Sequence, residues 1–462
     1  MASKYLYKIA ADGSQEYNTM NAARLQSNAD WGTGTIDADV IFEYYNGIYD
    51  ETIDLTAGTG FTLRAQCRFS VIFRSAAGHT PVIQCLSGGS FTWSNAYWNQ
   101  HIFRNLRFEN PGKTYKCITQ GAQGVFCYID SCQFIYTGPA GTANLGIAIL
   151  PWVQQTVLRN CYIEGLMVGG NGSMYWIMED CEWYIPSTAS SGYSCMVSPY
   201  GLVYFDARNC IFRTDAPMST GYGLFICSSA RHRLKFDGCV FDGISRIWYN
   251  WNSIGVVGRS GNFEFTNNIC INFTDTVFRF SDWNYDDLAD MVAERAMIIE
   301  GNCFYNCVGI TRDFDTGVDT TLTRLRALGF DIQQRCKICD PLFVDAPARN
   351  YHLQPVSPAI RGGVGGSGKA YDYFGVQRGV THPLSMGIDG QYDTIQSNRL
   401  KDYRIYGRVK LGLTGQRVNL AQSSGPVGEI VYNTVASSIV HDLRPSLISP
   451  LGMYGLWLRQ EM

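Results

Sequence analysis

The residues best suited to chemistry fall into four groups. Asp313, Asp315 and Asp319, in Arg312-Asp-Phe-Asp-Thr-Gly-Val-Asp319, could supply the two facing carboxylates that glycoside hydrolysis needs. The same residues suit turns, and Asp319 reads as a helix N-cap, so no catalytic residue is assigned. Asp282, Asp286, Asp287 and Asp290 are clustered, as a calcium site would be. The last three fall at the start of a helical pattern, where negative charge suits the macrodipole, and that reading is preferred. Cys336-Lys-Ile-Cys339 has the spacing of half a zinc site, with Cys303 and Cys307 the only conceivable other half. A lone pair of this kind is a weak signal, and neither metal nor cofactor is expected. The six histidines make no spaced pair, and the glycine-rich 361–368 is not followed by Lys-Ser/Thr as a phosphate loop would be. Aromatic residues are the strongest lead. Trp248 and Trp251, then Trp283 and Tyr285, sit beside Asn and Asp in stretches that read as loops. Such rings can stack on a sugar face, or fill an interface between copies of the chain.

What would position these groups is a repeat. Ile129-Asp-Ser-Cys132-Gln-Phe134 is echoed by Leu158-Arg-Asn-Cys161-Tyr-Ile163, Met178-Glu-Asp-Cys181-Glu-Trp183 and Ala207-Arg-Asn-Cys210-Ile-Phe212. The units at Cys239, Cys270 and Cys303 follow, and Phe103-Arg-Asn-Leu106-Arg-Phe108 precedes them with Leu in place of Cys. Intervals between the cysteines are 29, 20, 29, 29, 31 and 33 residues. Each unit is an apolar residue, a polar turn pair, Cys, then an aromatic or β-branched residue two positions on. That is strand alternation placed after a tight turn once per coil, the mark of a stacked solenoid. Cysteine at a fixed phase then points inward as a ladder of reduced thiols: Cys132, Cys161, Cys181, Cys210, Cys239, Cys270 and Cys303. Disulfides are the less favoured alternative.

This pattern resembles the right-handed parallel β-helix superfamily of pectate-lyase-like proteins. Asp12-Gly-Ser-Gln-Glu-Tyr17 with Val40-Ile-Phe-Glu-Tyr-Tyr-Asn-Gly47-Ile-Tyr49 is similar to the opening of such proteins, where a short capping helix precedes the first coils. Asp340-Pro-Leu-Phe-Val-Asp345, Tyr351-His-Leu-Gln-Pro-Val-Ser-Pro358, Asp372-Tyr-Phe-Gly375 and Met386-Gly-Ile-Asp389 resemble the closing segment. The resemblance spans residues 10–393 and implies a fold, not a chemistry. Enzymes of that superfamily work mainly on acidic polysaccharides, but the Asp-Phe-Ile-Phe-Gly and Gln-Ala-Val-Ala stretches of a pectin-esterase-like enzyme do not occur here.

The expected architecture is therefore all-β: an N-terminal cap over 1–30, a right-handed parallel β-helix with its closing segment over 31–393, and a small C-terminal β module over 394–462. Helical excursions are predicted over 283–296 and 319–328. The module ends on Leu451-Gly-Met-Tyr-Gly-Leu456-Trp457-Leu458, an apolar tail that needs covering and is read as an anchor to a partner chain.

Charged residues make up 17% of the 462, below the roughly 25% of ordinary domains. The net charge of −3 with no basic run argues against nucleic acid. No stretch approaches the roughly 18 apolar residues of a membrane span, and Met1–Asp12 has no apolar core of a secretory signal. A β-helix without a signal and with an added terminal module resembles bacteriophage virion proteins, of the tailspike or capsid-decoration type, which leave the host by lysis. The expected function is thus structural: a homotrimer attached to other virion proteins, with cell-surface polysaccharide as a further partner. A polysaccharide-degrading tailspike, or another carbohydrate-active lyase or glycosidase, is the alternative.

Overall fold

In the computed structural model the chain winds into stacked coils. The structure describes residues 5–31, 39–50, 52–54, 70–84, 91–93, 100–110, 116–120, 126–137, 147–151, 155–164, 166–167, 174–185, 196–198, 203–214, 225–227, 232–250, 262–279, 297–313, 317–319, 321–360, 362–364, 373 and 386–387. The proposed C-terminal module, with Leu456, Trp457 and Leu458, lies outside these residues, as does the helix expected over 283–296.

Two sheets of 11 strands run the length of the solenoid. The first starts at Tyr5–Ile9 and ends at Met297–Glu300; the second runs from Ile48–Tyr49 to Lys337–Ile338. The remaining side is formed by a 5-stranded sheet containing Ile53–Asp54 through Leu166–Met167, then by a 6-stranded sheet from Met196–Ser198 to Gly317–Asp319. Neighbours in the long sheets are successive coils paired in parallel, such as Phe126–Asp130 between Gln100–Arg104 and Gln155–Arg159. The fold is a parallel β-helix.

Residue types explain the turn between the two long sheets. Asn105, Ser131, Asn160, Asp180, Asn209, Gly238, Asn267 and Gly301 all have φ between 50 and 66°, the left-handed region that Gly, Asn and Asp enter at least cost. Each turn is tied to both neighbouring coils by its backbone. The Asn160 N–H donates to the Glu179 carbonyl at 3.1 Å, and the Tyr162 N–H to the Cys132 carbonyl at 3.0 Å. Gly301 answers a second demand, since a Cβ there would lie 2.8 Å from the Val364 nitrogen.

The residue after the turn points inward. Leu106, Cys132, Cys161, Cys181, Cys210 and Cys239 occupy this place in successive coils and are buried. All the described cysteines are free thiols. Burial pushes the Cys132 thiol up to about 12, as expected for a thiolate that would lose its hydration.

The next two units depart from the phase inferred from sequence. Asn268 and Asn302, not Cys270 and Cys303, take the ladder position, and Cys336 follows them. The Cys239 N–H donates to Asn268 Oδ1 at 2.9 Å, the Asn268 N–H to Asn302 Oδ1 at 2.9 Å, and the Asn302 N–H faces Cys336 Sγ at 3.4 Å. Cys270 lies one step into the strand beyond Ile269, in register with Phe241, and so joins the inner aromatic row. Cys303 is in register with Ile269 and points out of the coil into a separate apolar cluster.

Below the ladder the core is aromatic and stacked in register. Phe42, Phe73 and Phe103 lie with ring centroids 5.4 and 5.0 Å apart, and Phe212 lies 4.9 Å from Phe241. Parallel in-register pairing puts like residues over like, and flat rings accept that arrangement in an offset stack.

The N-terminal cap is more than a helix. Tyr5–Ile9 already pairs with Val40–Tyr44 as the first strand, and the helix Met20–Trp31 follows it. The Thr19 hydroxyl accepts from the Ala22 N–H at 3.1 Å, and Met20 and Ala23 are buried. At the other end the helix Leu322–Ala327 is capped by Thr321, whose side chain accepts from the Arg324 N–H. Asp319, expected as that cap, instead ends the strand Gly317–Asp319.

The closing segment doubles back over the outside of the second sheet. Phe343, Tyr351, Leu353, Ala359 and Met386 pack on Ile211, Val240, Ile269 and Cys303. The Tyr351 hydroxyl donates to Asp242 at 2.8 Å, and the Val364 N–H to Asn267 Oδ1 at 2.7 Å. This part of the second sheet is thereby withdrawn from any ligand.

Candidate functional site

The outer face of the first sheet carries three parallel rows of side chains, because alternation along each strand sends every second residue outward. Nearest the turn stand Asp130, Arg159, Glu179, Arg208 and Asp237, one per coil and in register. The charges alternate in sign. Alternation over this stretch avoids the repulsion of like charges at this strand spacing, whereas Arg74 and Arg104 stand in register earlier in the same row. The middle row passes from Tyr128, Val157 and Ile177 to Asp206, Lys235 and Glu264. The third row holds Tyr175, Tyr204 and Arg233.

Three carboxylates of this face, Glu179, Asp206 and Glu264, are turned into its own cations. Arg159 Nε lies 2.6 Å from Glu179 Oε2, and Lys235 Nζ lies 2.7 Å from Glu264 Oε2. Arg208 grips Asp206 with two bonds, Nε to Oδ1 at 2.9 Å and Nη2 to Oδ2 at 2.6 Å. Asp206 is only 1% exposed. Burial opposes the charge on Arg159 and Arg208, but the facing carboxylates outweigh it and hold both guanidinium groups above their ordinary range. Lys235 is raised in the same way, burial being overcome by Glu264. Asp237 accepts from Asn267 Nδ2 at 2.8 Å and Thr266 Oγ1 at 3.2 Å.

Beside this neutralised strip lies an aromatic step. The Tyr175 and Tyr204 rings are stacked with centroids 5.6 Å apart, and the Arg233 guanidinium sits 5.2 Å from the Tyr204 centroid. Burial, then the Asp206 charge, raises the Tyr204 phenol, and burial pushes Tyr128 up to about 12. These phenols stay protonated as donors at neutral pH. Flat rings, phenol donors and an exposed guanidinium over Tyr204 suit a polar ligand with flat faces and hydroxyl or carboxylate groups.

The residues singled out from sequence are not brought together. Trp248 lies in the strand Trp248–Asn250 of the 6-stranded sheet, not in a loop between coils. Trp251, Trp283, Tyr285, Asp282 and Asp315 lie outside the described residues. Asp313 ends the strand Gly309–Asp313, which pairs antiparallel with Gly317–Asp319, setting Asp313 across from Gly317 and Asp319 across from Thr311. Asp313 and Asp319 therefore belong to one antiparallel pair of strands. Among the described residues no group of three or more His, Cys, Asp or Glu is placed to hold a metal ion.

Sequence reasoning missed the Tyr175, Tyr204, Arg233 row. Its signal was there: each residue stands six positions before a ladder cysteine, at Cys181, Cys210 and Cys239.

A second concavity, about 410 Å³, opens at the C-terminal end of the solenoid between Phe304, Ile310, Leu322 and Ile338. It is largely apolar, and Leu325 of the short helix closes one side of the core beside it.

No protein-family model and no curated protein matches this sequence. Among solved structures, the chain is similar to pectate lyase Pel9A, at 10% identity and a TM-score of 0.44, over 84% of this chain and 97% of that one. It is also similar to pectin methylesterase PemA from Erwinia chrysanthemi, at 12% identity and a TM-score of 0.32, over 54% of this chain and 82% of that one. The β-helix assignment stands on the sheet register itself.

Proposed function

We propose that this chain is a structural protein of a bacteriophage particle, a trimeric rod that binds cell-surface polysaccharide and does not cut it. The observation that supports binding is the outer face of the first sheet, where stacked Tyr175 and Tyr204 with Arg233 flank carboxylates already engaged by Arg159, Arg208 and Lys235. Glycoside cleavage needs one carboxyl kept ready to give a proton and a second ready to attack or to activate water. Carboxylates spent on neighbouring cations serve instead to keep the strip flat and rigid. The stack of free thiols supports synthesis in a reducing compartment, consistent with a product released by lysis.

Affinity electrophoresis through gels containing bacterial capsular or O-antigen polysaccharides tests this reading. The full chain is expected to be retarded by at least one acidic or hydroxyl-rich polymer while generating neither reducing ends nor unsaturated sugars over hours. Steady release of either product would replace the binding role by a tailspike depolymerase.

A further inference from the structure

Cys303 and Cys339 differ from the contacting thiols of the ladder, Cys161, Cys181, Cys210 and Cys239, in lying where the chain leaves the solenoid. Their sulfurs lie 3.7 Å apart, and Cys303 Sγ also lies 3.3 Å from the Cys339 carbonyl oxygen. Cys303 stands on the outer side of the strand Cys303–Tyr305, which pairs with the final strand Lys337–Ile338 of its sheet, and the Cys339 N–H donates to the Phe304 carbonyl at 3.1 Å, just where the chain leaves the solenoid for the closing segment. Cys303 is buried, whereas Cys339 is partly open to solvent. The ladder cysteines are sealed inside the solenoid. Cys307, also partly open, directs its sulfur at the carbonyls of Cys270 and Tyr305.

We infer that Cys303 and Cys339 form a thiol–disulfide exchange site, at which a low-molecular-weight disulfide such as oxidised glutathione converts the pair into a staple between the last coil and the closing segment. Cys339 is the attacking group. The Cys303 thiol hydrogen-bonds to its sulfur, and with the Lys337 charge nearby this brings Cys339 down to about 7. Thiolates, not thiols, attack disulfides. The Cys339 thiolate forms a bond to one glutathione sulfur and expels the other as a thiolate, which takes up a proton from solvent. Cys303 then attacks the Cys339 sulfur of the mixed disulfide, forming the Cys303–Cys339 bond, and its proton leaves with the second glutathione thiol. Two protein thiols are oxidised and one small disulfide is reduced to two thiols. The sulfurs need close only to the bonded distance of about 2.05 Å, within reach of side-chain rotation. The closed loop, 303–339, contains the helix Leu322–Ala327 and residues that line the apolar concavity, so the staple ties these to the strand Cys303–Tyr305. This assignment does not depend on what the outer face of the first sheet binds.

The test treats the full native chain with oxidised glutathione, blocks remaining thiols with iodoacetamide, and maps bonds by non-reducing proteolysis and mass spectrometry. Expected is a Cys303–Cys339 cross-link short of two hydrogens, with Cys132, Cys161, Cys181, Cys210 and Cys239 unmodified. In the unoxidised protein, alkylation of Cys339 should rise about tenfold between about pH 6 and about pH 8 and then level off. Cys303→Ser should stop the reaction at a lasting glutathione adduct on Cys339. A lasting adduct on Cys339 in the wild-type chain, or cross-linking that bypasses this pair, would overturn the assignment.

Discussion

Replacing Asn302 by alanine is expected to lower the unfolding free energy by about 3–5 kcal/mol, read from the guanidinium midpoint. Asn302 is fully buried, and its side chain serves three groups at once. Its Oδ1 accepts from the Asn268 N–H at 2.9 Å and from Asn268 Nδ2 at 3.1 Å, while its Nδ2 donates to the Phe265 carbonyl at 2.8 Å. Alanine strands the Asn268 N–H and the Phe265 carbonyl where water does not reach, at about 1–3 kcal/mol for each unsatisfied group, while Asn268 Nδ2 keeps its bond to the Phe236 carbonyl at 3.1 Å; a small cavity opens as well. Cysteine occupies the same position in six other coils, at Cys132, Cys161, Cys181, Cys210, Cys239 and Cys336, so Asn302→Cys should cost less than Asn302→Ala. A loss below about 1 kcal/mol for the alanine variant would mean that the ladder is not a structural column.

A comparable loss, about 3–5 kcal/mol, is expected from Asp275→Ala. Arg246, only 1% exposed, pairs through Nη2 with Asp275 Oδ2, one coil further on. The other oxygen of Asp275 accepts from the Thr276 N–H at 2.7 Å. Both residues sit at the corner between the second sheet and the 6-stranded sheet, where the Ile247 N–H also donates to the Val277 carbonyl at 3.0 Å. Removing one partner leaves a guanidinium buried without its counter-charge, which costs far more than removing both. The double replacement Arg246→Met, Asp275→Leu should therefore be closer to wild type than Asp275→Ala alone. Additive losses would show that the pair is not coupled.

Much of the fold was legible because the turn leaves its mark on residue type. Asn160, Asp180, Asn209 and Gly238 are residues that tolerate positive φ, and each precedes a small inward residue and then an aromatic or β-branched one. The two misphased units show what misled the reading. Matching cysteine to cysteine placed Cys270 and Cys303 in the ladder, whereas the positive-φ residues Asn267 and Gly301 mark the true phase one residue before Asn268 and Asn302. Backbone conformation, not the identity of the inner residue, keeps the repeat in step, since Cys and Asn both satisfy the ladder by different bonds.

The candidate site was less legible for a physical reason. Tyr175, Tyr204 and Arg233 fall in three separate coils and become neighbours only through register, while clustered tryptophans draw attention by being adjacent in sequence. Masking of the second sheet's outer face was equally hidden, because it depends on contacts such as Tyr351 to Asp242, 109 residues apart. On the outer face of the first sheet Glu179, Asp206 and Glu264 are already paired with cations, and on that pairing rests the proposed distinction between binding and cleavage.

The most direct test of that distinction is affinity electrophoresis of the wild-type chain beside Tyr175→Ala/Tyr204→Ala, in the polysaccharide that retards the wild type. Stacking on an aromatic ring contributes about 1 kcal/mol for each ring, so the double variant should bind at least about tenfold more weakly while still folded. Equal retardation of the two proteins would contradict the account and move the binding surface away from the first sheet.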